Sequence, residues 1–174
     1  MKNKETEQRK VGETGMRVLV PPHNKPAEDI EEMTPKIREE IEMMKQMMKK
    51  NVFHGGLMRG FALAHPQVSE YPLSLFVTGG GKVVEKVVIN PKIIERSGIC
   101  HHKEACLSFP GRRPEKVVHT RYRRITVEYL EWNGDGVWSQ KRERLDGLLA
   151  EIFQHEIEHL QGKNIYGWKK TSGC

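Results

Sequence analysis

The sequence predicts an α+β domain: one helix, then a group of mostly antiparallel strands, then a C-terminal helix. Three observations predict it. Ile37, Ile41, Met44 and Met48 recur at helical spacing. Short β-rich runs separated by glycine turns fill the middle of the chain. A second helical pattern runs from about Asp146 to Gln161 and stops at Gly162.

Residues 1–14 read as a flexible polar tail, and residues 15–174 as a single catalytic domain. That length suits one domain with a real core. Residues 16–22, MRVLVPP, are a short apolar piece closed by prolines. Thr34 then supplies an N-cap and Pro35 the first helical position of an amphipathic helix ending near Lys50. Its methionines, Met43, Met44, Met47 and Met48, are read as core packing rather than a binding face. Residues 55–68 are glycine-rich, then small and apolar, and read as a loop passing close to something. Strands are expected at 73–77 and 82–90 around the Gly79, Gly80, Gly81 turn. Another is expected at 123–132, with a partner returning over 137–145 after the Asn133-Gly134-Asp135-Gly136 turn.

Composition excludes several classes. The chain is 37% hydrophobic and 30% charged, and no run approaches the ~18 apolar residues that cross a bilayer. MKNKETEQRK has no apolar stretch behind its charges, so no secretory signal is expected and the cytoplasm is the expected compartment. Cys100, Cys106 and Cys174 are too few and too unevenly spaced for a disulfide framework. The net charge of +6 is spread out, so no DNA partner or membrane contact is expected.

The last helix carries the chemistry. Residues 154–159, QHEIEH, contain H-E-x-x-H. Histidines four apart face one side of a helix and can share a metal ion, while the adjoining glutamate can take a proton from bound water. At about 100° per residue, Leu148, Ile152, His155 and His159 fall on one arc, continued by Leu149, Phe153, Glu156 and Leu160. Ala150, Glu151, Gln154, Glu158 and Gln161 fall on the other side. Polar groups on an apolar stripe are costly unless ligated or paired. After His159 the only possible further ligand is Cys174, so the third ligand is expected upstream, among Cys100, His101, His102, Cys106 and His119.

Three segments resemble the peptide deformylase family, in its order. Gly60 to Gln67 resembles G-x-G-x-A-A-x-Q, Glu104 to Ser108 resembles E-G-C-L-S, and Gln154 to Gly162 resembles Q-H-E-x-D-H-L-x-G. VVINPKI at 87–93 and LDGLLA at 145–150 resemble further family segments. Ala62, His65, Ala105 and Glu158 depart from the family pattern. The fold implied is mostly antiparallel β-sheet around a central C-terminal metal-binding helix.

The resemblance implies a hydrolase that removes the formyl group from N-terminal formylmethionine of newly made polypeptides. It implies Cys106, His155 and His159 as metal ligands, Glu156 as base, and the Gln67 amide and Leu107 backbone N–H as oxyanion donors. Gly60, Ala62, Leu148 and Ile152 are expected to line the substrate cleft. Glu158 is expected to pair with Arg121, orienting ligands and balancing charge. The metal implied is Fe²⁺ in the cell, with Zn²⁺, Ni²⁺ or Co²⁺ able to occupy the site. The expected partners are the formylated nascent chain and a transient ribosome contact, with the protein a monomer. The rival readings are an H-E-x-x-H metallopeptidase, a silent relative that only binds, and a structural zinc held by Cys100, His101, His102 and Cys106. Outside that last reading, Cys100, His101 and His102 are expected to form a polar loop.

Overall fold

A computed structural model describes residues 9–10, 17–18, 22, 24–50, 60–106, 108, 116–134 and 136–165. In chain order they form β1 (Arg9–Lys10), β2 (Arg17–Val18), α1 (Pro35–Lys50), β3 (Ala62–Ala64), a 3-10 turn (His65–Gln67), β4 (Leu75–Thr78), β5 (Lys86–Glu104), β6 (Val117–Trp132), β7 (Trp138–Asp146) and α2 (Gly147–Leu160). β1 and β2 pair with each other, and β3 to β7 form one antiparallel sheet in sequence order. This is the expected α+β arrangement. Apart from Arg9 and Lys10, the expected tail over 1–14 lies outside the described residues.

Strand alternation puts a helix on each face of the sheet. Leu63, Leu75, Val77, Val87 and Ile89 pack with Ile41, Met44 and Met47 of α1. Their neighbours Ala64, Phe76 and Val88 pack with Phe153, Ile157 and Leu160 of α2. Covered on both faces, these strands read as continuous apolar runs rather than alternating ones. Thr34 caps α1, its Oγ1 accepting from the Ile37 N–H at 3.3 Å. Asp146 occupies the N-cap position of α2 without a side-chain cap bond, its carboxylate lying 3.4 Å from Arg124 instead.

β5 is the element that sequence reading cut short. Its first part pairs with β4, and the ladder to β6 then slips between Ile89 and Lys92 and between Ile93 and Glu95. Asn90 marks the bend, with φ 49° and its side chain bonded to both the N–H and the C=O of Ile30. Beyond it β5 continues with β6 alone as far as Glu104. Cys100, His101 and His102 therefore lie in a strand, not in the expected polar loop. The register Cys100↔Arg121, His101↔Thr120, His102↔His119 satisfies their backbone groups, which β propensity alone did not reveal. For the same reason β6 begins at Val117 rather than Arg123.

The helical arc also needs correction. Ala150 and Gln154, assigned to the polar side of α2, are buried, while Leu148 and Leu149 are exposed at its first turn. Gln154 accepts from the Tyr122 N–H at 2.9 Å and donates to the Tyr122 carbonyl at 2.8 Å. A glutamine that pairs with strand backbone in this way docks the helix on β6 through what looks in projection like a solvent face.

Candidate metal centre and catalytic cleft

α2 and the end of β5 build the site. His155, Glu156 and His159 stand on α2, and Cys106 follows β5 by two residues. Cys106 Sγ lies 3.3 Å from His159 Nε2, and one donor atom from each of Cys106, His155 and His159 falls within 4.8 Å of the others. Cys106 and His159 are buried and His155 is 14% exposed. Among the described residues this is the one such group of three that could hold a metal ion. Cys100 and His102 contact each other at 3.2 Å, away from this group, which leaves the structural-zinc reading without its fourth donor, Cys106.

The donor set fits a divalent cation. His155 Nδ1 faces Glu104 Oε2 at 3.1 Å, and donating its proton there leaves Nε2 with a lone pair for a metal. Burial pulls His155 down, yet contacts to Cys106 and Glu104 outweigh it and raise the ring well above its ordinary value. Burial, with His155 and Arg121 nearby, holds His159 well below its ordinary value and so neutral, as a ligand must be. A thiolate with two imidazoles suits Fe²⁺, Zn²⁺, Ni²⁺ or Co²⁺ and does not choose among them.

Glu104 and Arg121 form the scaffold behind these three donors. Burial alone would raise Glu104, but the hydrogen bonds to His155 and Arg121 bring it to about 2. Arg121 Nη1 also reaches Glu158 Oε1 at 2.6 Å, and His119 Nε2 lies 3.4 Å from the same oxygen. His119, an upstream ligand candidate in the sequence, is thus a neighbour of Glu158. The role of Glu104 was not assigned from sequence, although the residue opens the quoted Glu104-Ala105-Cys106-Leu107-Ser108 motif.

Glu156 is buried, and burial pushes its carboxyl up to about 7, against the neighbouring charge of His155. Its Oε2 has no hydrogen-bond partner among the described residues. Gln67 is buried in the turn after β3, where its Oε1 accepts from the Ala64 N–H at 2.6 Å. That bond fixes the amide orientation, so Nε2 donates to Ser108 Oγ at 2.6 Å and keeps a second N–H. Leu107 lies outside the described residues. His65, a departure from the family motif, is also buried. Its Nδ1 accepts from the Leu73 N–H at 2.9 Å and its Nε2 faces Glu40 of α1 at 3.3 Å.

A cleft of about 250 Å³ opens onto this group. Gly60, Ala62, Leu148 and Ile152 all line it, together with Gln67, Cys106, His155 and Glu156. Sequence reasoning missed Lys103, Glu104 and Glu151 in the same lining. No helix among the described residues is long and apolar enough to cross a membrane.

Known proteins share both this sequence pattern and this fold. The family model described as Polypeptide deformylase matches residues 16–172. A peptide deformylase of Carboxydothermus hydrogenoformans is 37% identical over 136 residues, covering 78% of this chain and 79% of its own. One of Halothermothrix orenii is 36% identical over 155 residues, covering 88% and 86%. Among solved structures, the peptide deformylase of Thermotoga maritima superposes with a TM-score of 0.67 at 30% identity, over 94% of this chain and 97% of that one. That of Synechococcus elongatus, solved with actinonin, gives 0.71 at 28% identity, over 91% and 80%. With the family model spanning nearly the whole chain and relatives above a third identical over most of it, the chain belongs to the polypeptide deformylase family.

Proposed function

We propose that the protein removes the formyl group from the N-terminal formylmethionine of newly made polypeptides, with a metal held by Cys106, His155 and His159. The observation that carries this reading is a buried Glu156 carboxylate with one unpartnered oxygen beside a clustered thiol and two imidazoles, with Cys106, His155 and Glu156 opening on one cleft. When bound, a divalent metal lowers the pKa of water and polarises a carbonyl oxygen. Fe²⁺ is the metal proposed for the cell.

The chain's own groups supply the proton handling and the positioning. Glu156, raised to about 7, is a stronger base than an ordinary carboxylate and takes a proton from the attacking water. It then returns that proton to the departing amine nitrogen. The second N–H of Gln67 and the Leu107 backbone N–H donate to the oxygen that gains negative charge. Leu148 and Ile152 offer apolar surface to the methionine side chain, and Gly60 and Ala62 give the substrate backbone an edge to follow. Glu104, Arg121 and Glu158 hold the His155 ring in its tautomer and balance the buried charge.

All three metal donors come from one chain, which supports a monomer as the working unit. The net charge of +6 supports a transient contact with the ribosome, where the substrate emerges, and hence the cytoplasm as the compartment. The intact donor set and Glu156 speak against a silent relative, and the family assignment speaks against a metallopeptidase. Formate release from a formyl-Met peptide by protein loaded with Fe²⁺ or Ni²⁺ tests the reading. Release that requires the metal is expected, and none above the metal-free control would overturn it.

A further inference from the structure

Outside the metal centre, a second set of reactive side chains meets between β5 and α2. Residues two apart on a strand share a face. Cys100, His102 and Glu104 therefore stand on the α2 side of β5, while Ile99, His101 and Lys103 are exposed on the other. Glu104 uses that face to hold His155. His102 uses it to meet Glu151, Nδ1 to Oε2 at 3.2 Å. On the far side of the same ring, Nε2 lies 3.2 Å from Cys100 Sγ. Thiol, imidazole and carboxylate thus form one chain of contacts, with the ring bridging the other two. None of the three belongs to the metal donors, and neither Cys100 nor His102 lines the cleft. The array is not a second metal centre either, because the one group of three suitable donors among the described residues is that of Cys106.

We propose that Cys100 is a nucleophilic thiol and a modification site for hydroperoxides, with His102 as its base and Glu151 as the positioning residue. A nucleophile within hydrogen-bond reach of a base, itself oriented by a third group, is the arrangement that activates a thiol. The Glu151 carboxylate accepts from Nδ1–H, which leaves Nε2 of the neutral ring as the bare nitrogen facing the sulfur. The Arg121 carbonyl oxygen, 3.4 Å from Sγ, also accepts from the thiol and holds it in this rotamer, but is no base. Cys100 is partly exposed, unlike the buried Cys106, so small reagents reach it from solvent. As Sγ attacks one peroxide oxygen, the S–O bond forms and the O–O bond breaks. The thiol proton passes to His102 Nε2 and on to the departing oxygen, which leaves as water or an alcohol. Sulfur is oxidised by two electrons to a sulfenic acid and the peroxide is reduced, with no other reactant. A free thiol is only a few per cent thiolate near pH 7, so handing its proton to a base is worth up to ~30-fold in rate. The reading is independent of the proposed deformylation.

The test follows sulfenic acid formation near pH 7 in protein loaded with stoichiometric Zn²⁺, so that no iron consumes the peroxide. Hydrogen peroxide is added with excess dimedone, which traps sulfenic acid, and peptide masses separate Cys100 from Cys106 and Cys174. Cys100 is expected to react about tenfold faster than the cysteine of an unstructured peptide in the same tube, within the bound set by free-thiol ionisation. His102→Ala should bring it to the peptide's rate. Glu151→Ala should slow it less than His102→Ala does. It should change nothing further when residue 102 is already alanine, because Glu151 acts through the ring. Circular dichroism checks that each variant is folded. A Cys100 rate at or below the peptide's in the unsubstituted protein overturns the proposal without any variant. A rate unchanged in folded His102→Ala overturns it too. An equal effect of Glu151→Ala with and without His102 removes Glu151 from the positioning role.

Discussion

Arg121 on β6 grips Glu104 on β5 through two hydrogen bonds, Nε to Oε1 at 2.7 Å and Nη2 to Oε2 at 2.8 Å. The pair is buried, and each partner has one further commitment, Glu104 to His155 and Arg121 to Glu158. Planar guanidinium and carboxylate groups meet here in the geometry that suits both. The result is a line of hydrogen bonds from β6 through β5 to His155 on α2.

Removing one end of that line should be costly. Arg121→Ala leaves Glu104 buried without its main counter-ion, and a loss of ~3–5 kcal/mol is expected, together with weaker metal retention. Urea unfolding, with metal content measured on the same samples, checks this. A loss below ~1 kcal/mol would show that the pair carries little of the fold.

Glu156→Gln keeps the size and burial of the side chain but cannot accept a proton. Formate release should fall by about 10²–10⁴-fold, the usual share of a positioned base, while metal content stays unchanged. Full activity, or loss of metal from a folded protein, would remove Glu156 from the role of base.

Stability of the metal-free protein should fall as pH drops below about 4.5. Glu104 lies at about 2, below its ordinary 4.5, so its contribution is present above about pH 4.5 and lost as pH falls toward 2. That difference corresponds to roughly 3 kcal/mol. Glu156 acts with the opposite sign. At about 7 its folded form binds a proton more tightly than the unfolded chain, so the fold gains as pH falls from about 7 to 4.5. The two histidines act with opposite signs: His155, raised in the fold, adds stability as pH falls toward 6.5, and His159, held well below its ordinary value, loses it as pH falls below 6.5. An unfolding free energy at pH 3 equal to or above that at pH 5 would contradict this.

Gly162 ends α2 with φ +72°, and a Cβ built there would lie 2.6 Å from the Asn24 carbonyl oxygen. Gly162→Ala meets both backbone strain and a clash with main chain that no rotamer relieves. A loss of ~1–3 kcal/mol in urea unfolding is expected. A neutral result would mean that the segment around Asn24 gives way freely.

Several features were readable from the chain alone because their causes are local. Thr34 and Pro35 start α1 and the Ile37, Ile41, Met44 and Met48 spacing marks its packed face, since capping and helical periodicity act within a few residues. The four-residue spacing of His155 and His159 puts both on one face of α2 for the same reason.

Other features depended on chain segments that meet only in space. Projection placed Gln154 in solvent because it knows the helix and not the strand beside it, where Tyr122 offers a backbone N–H and C=O. It placed Cys100 and His102 in a loop because the pairing that makes them a strand comes from residues 119–121. His65 departs from its motif yet is held by Leu73 and Glu40, neither adjacent to it in sequence. Motif order suggested that Cys106 and the histidines of α2 belong together, but the bend at Asn90 and the long β5–β6 ladder are what carry the chain to them. The sequence by itself determined the local elements and the residue types of the site. The tertiary structure alone decided that Arg121 serves Glu104 before Glu158 and that Glu151 enters the cleft wall, because hydrogen-bond partners and burial depend on distances between segments that no local pattern encodes.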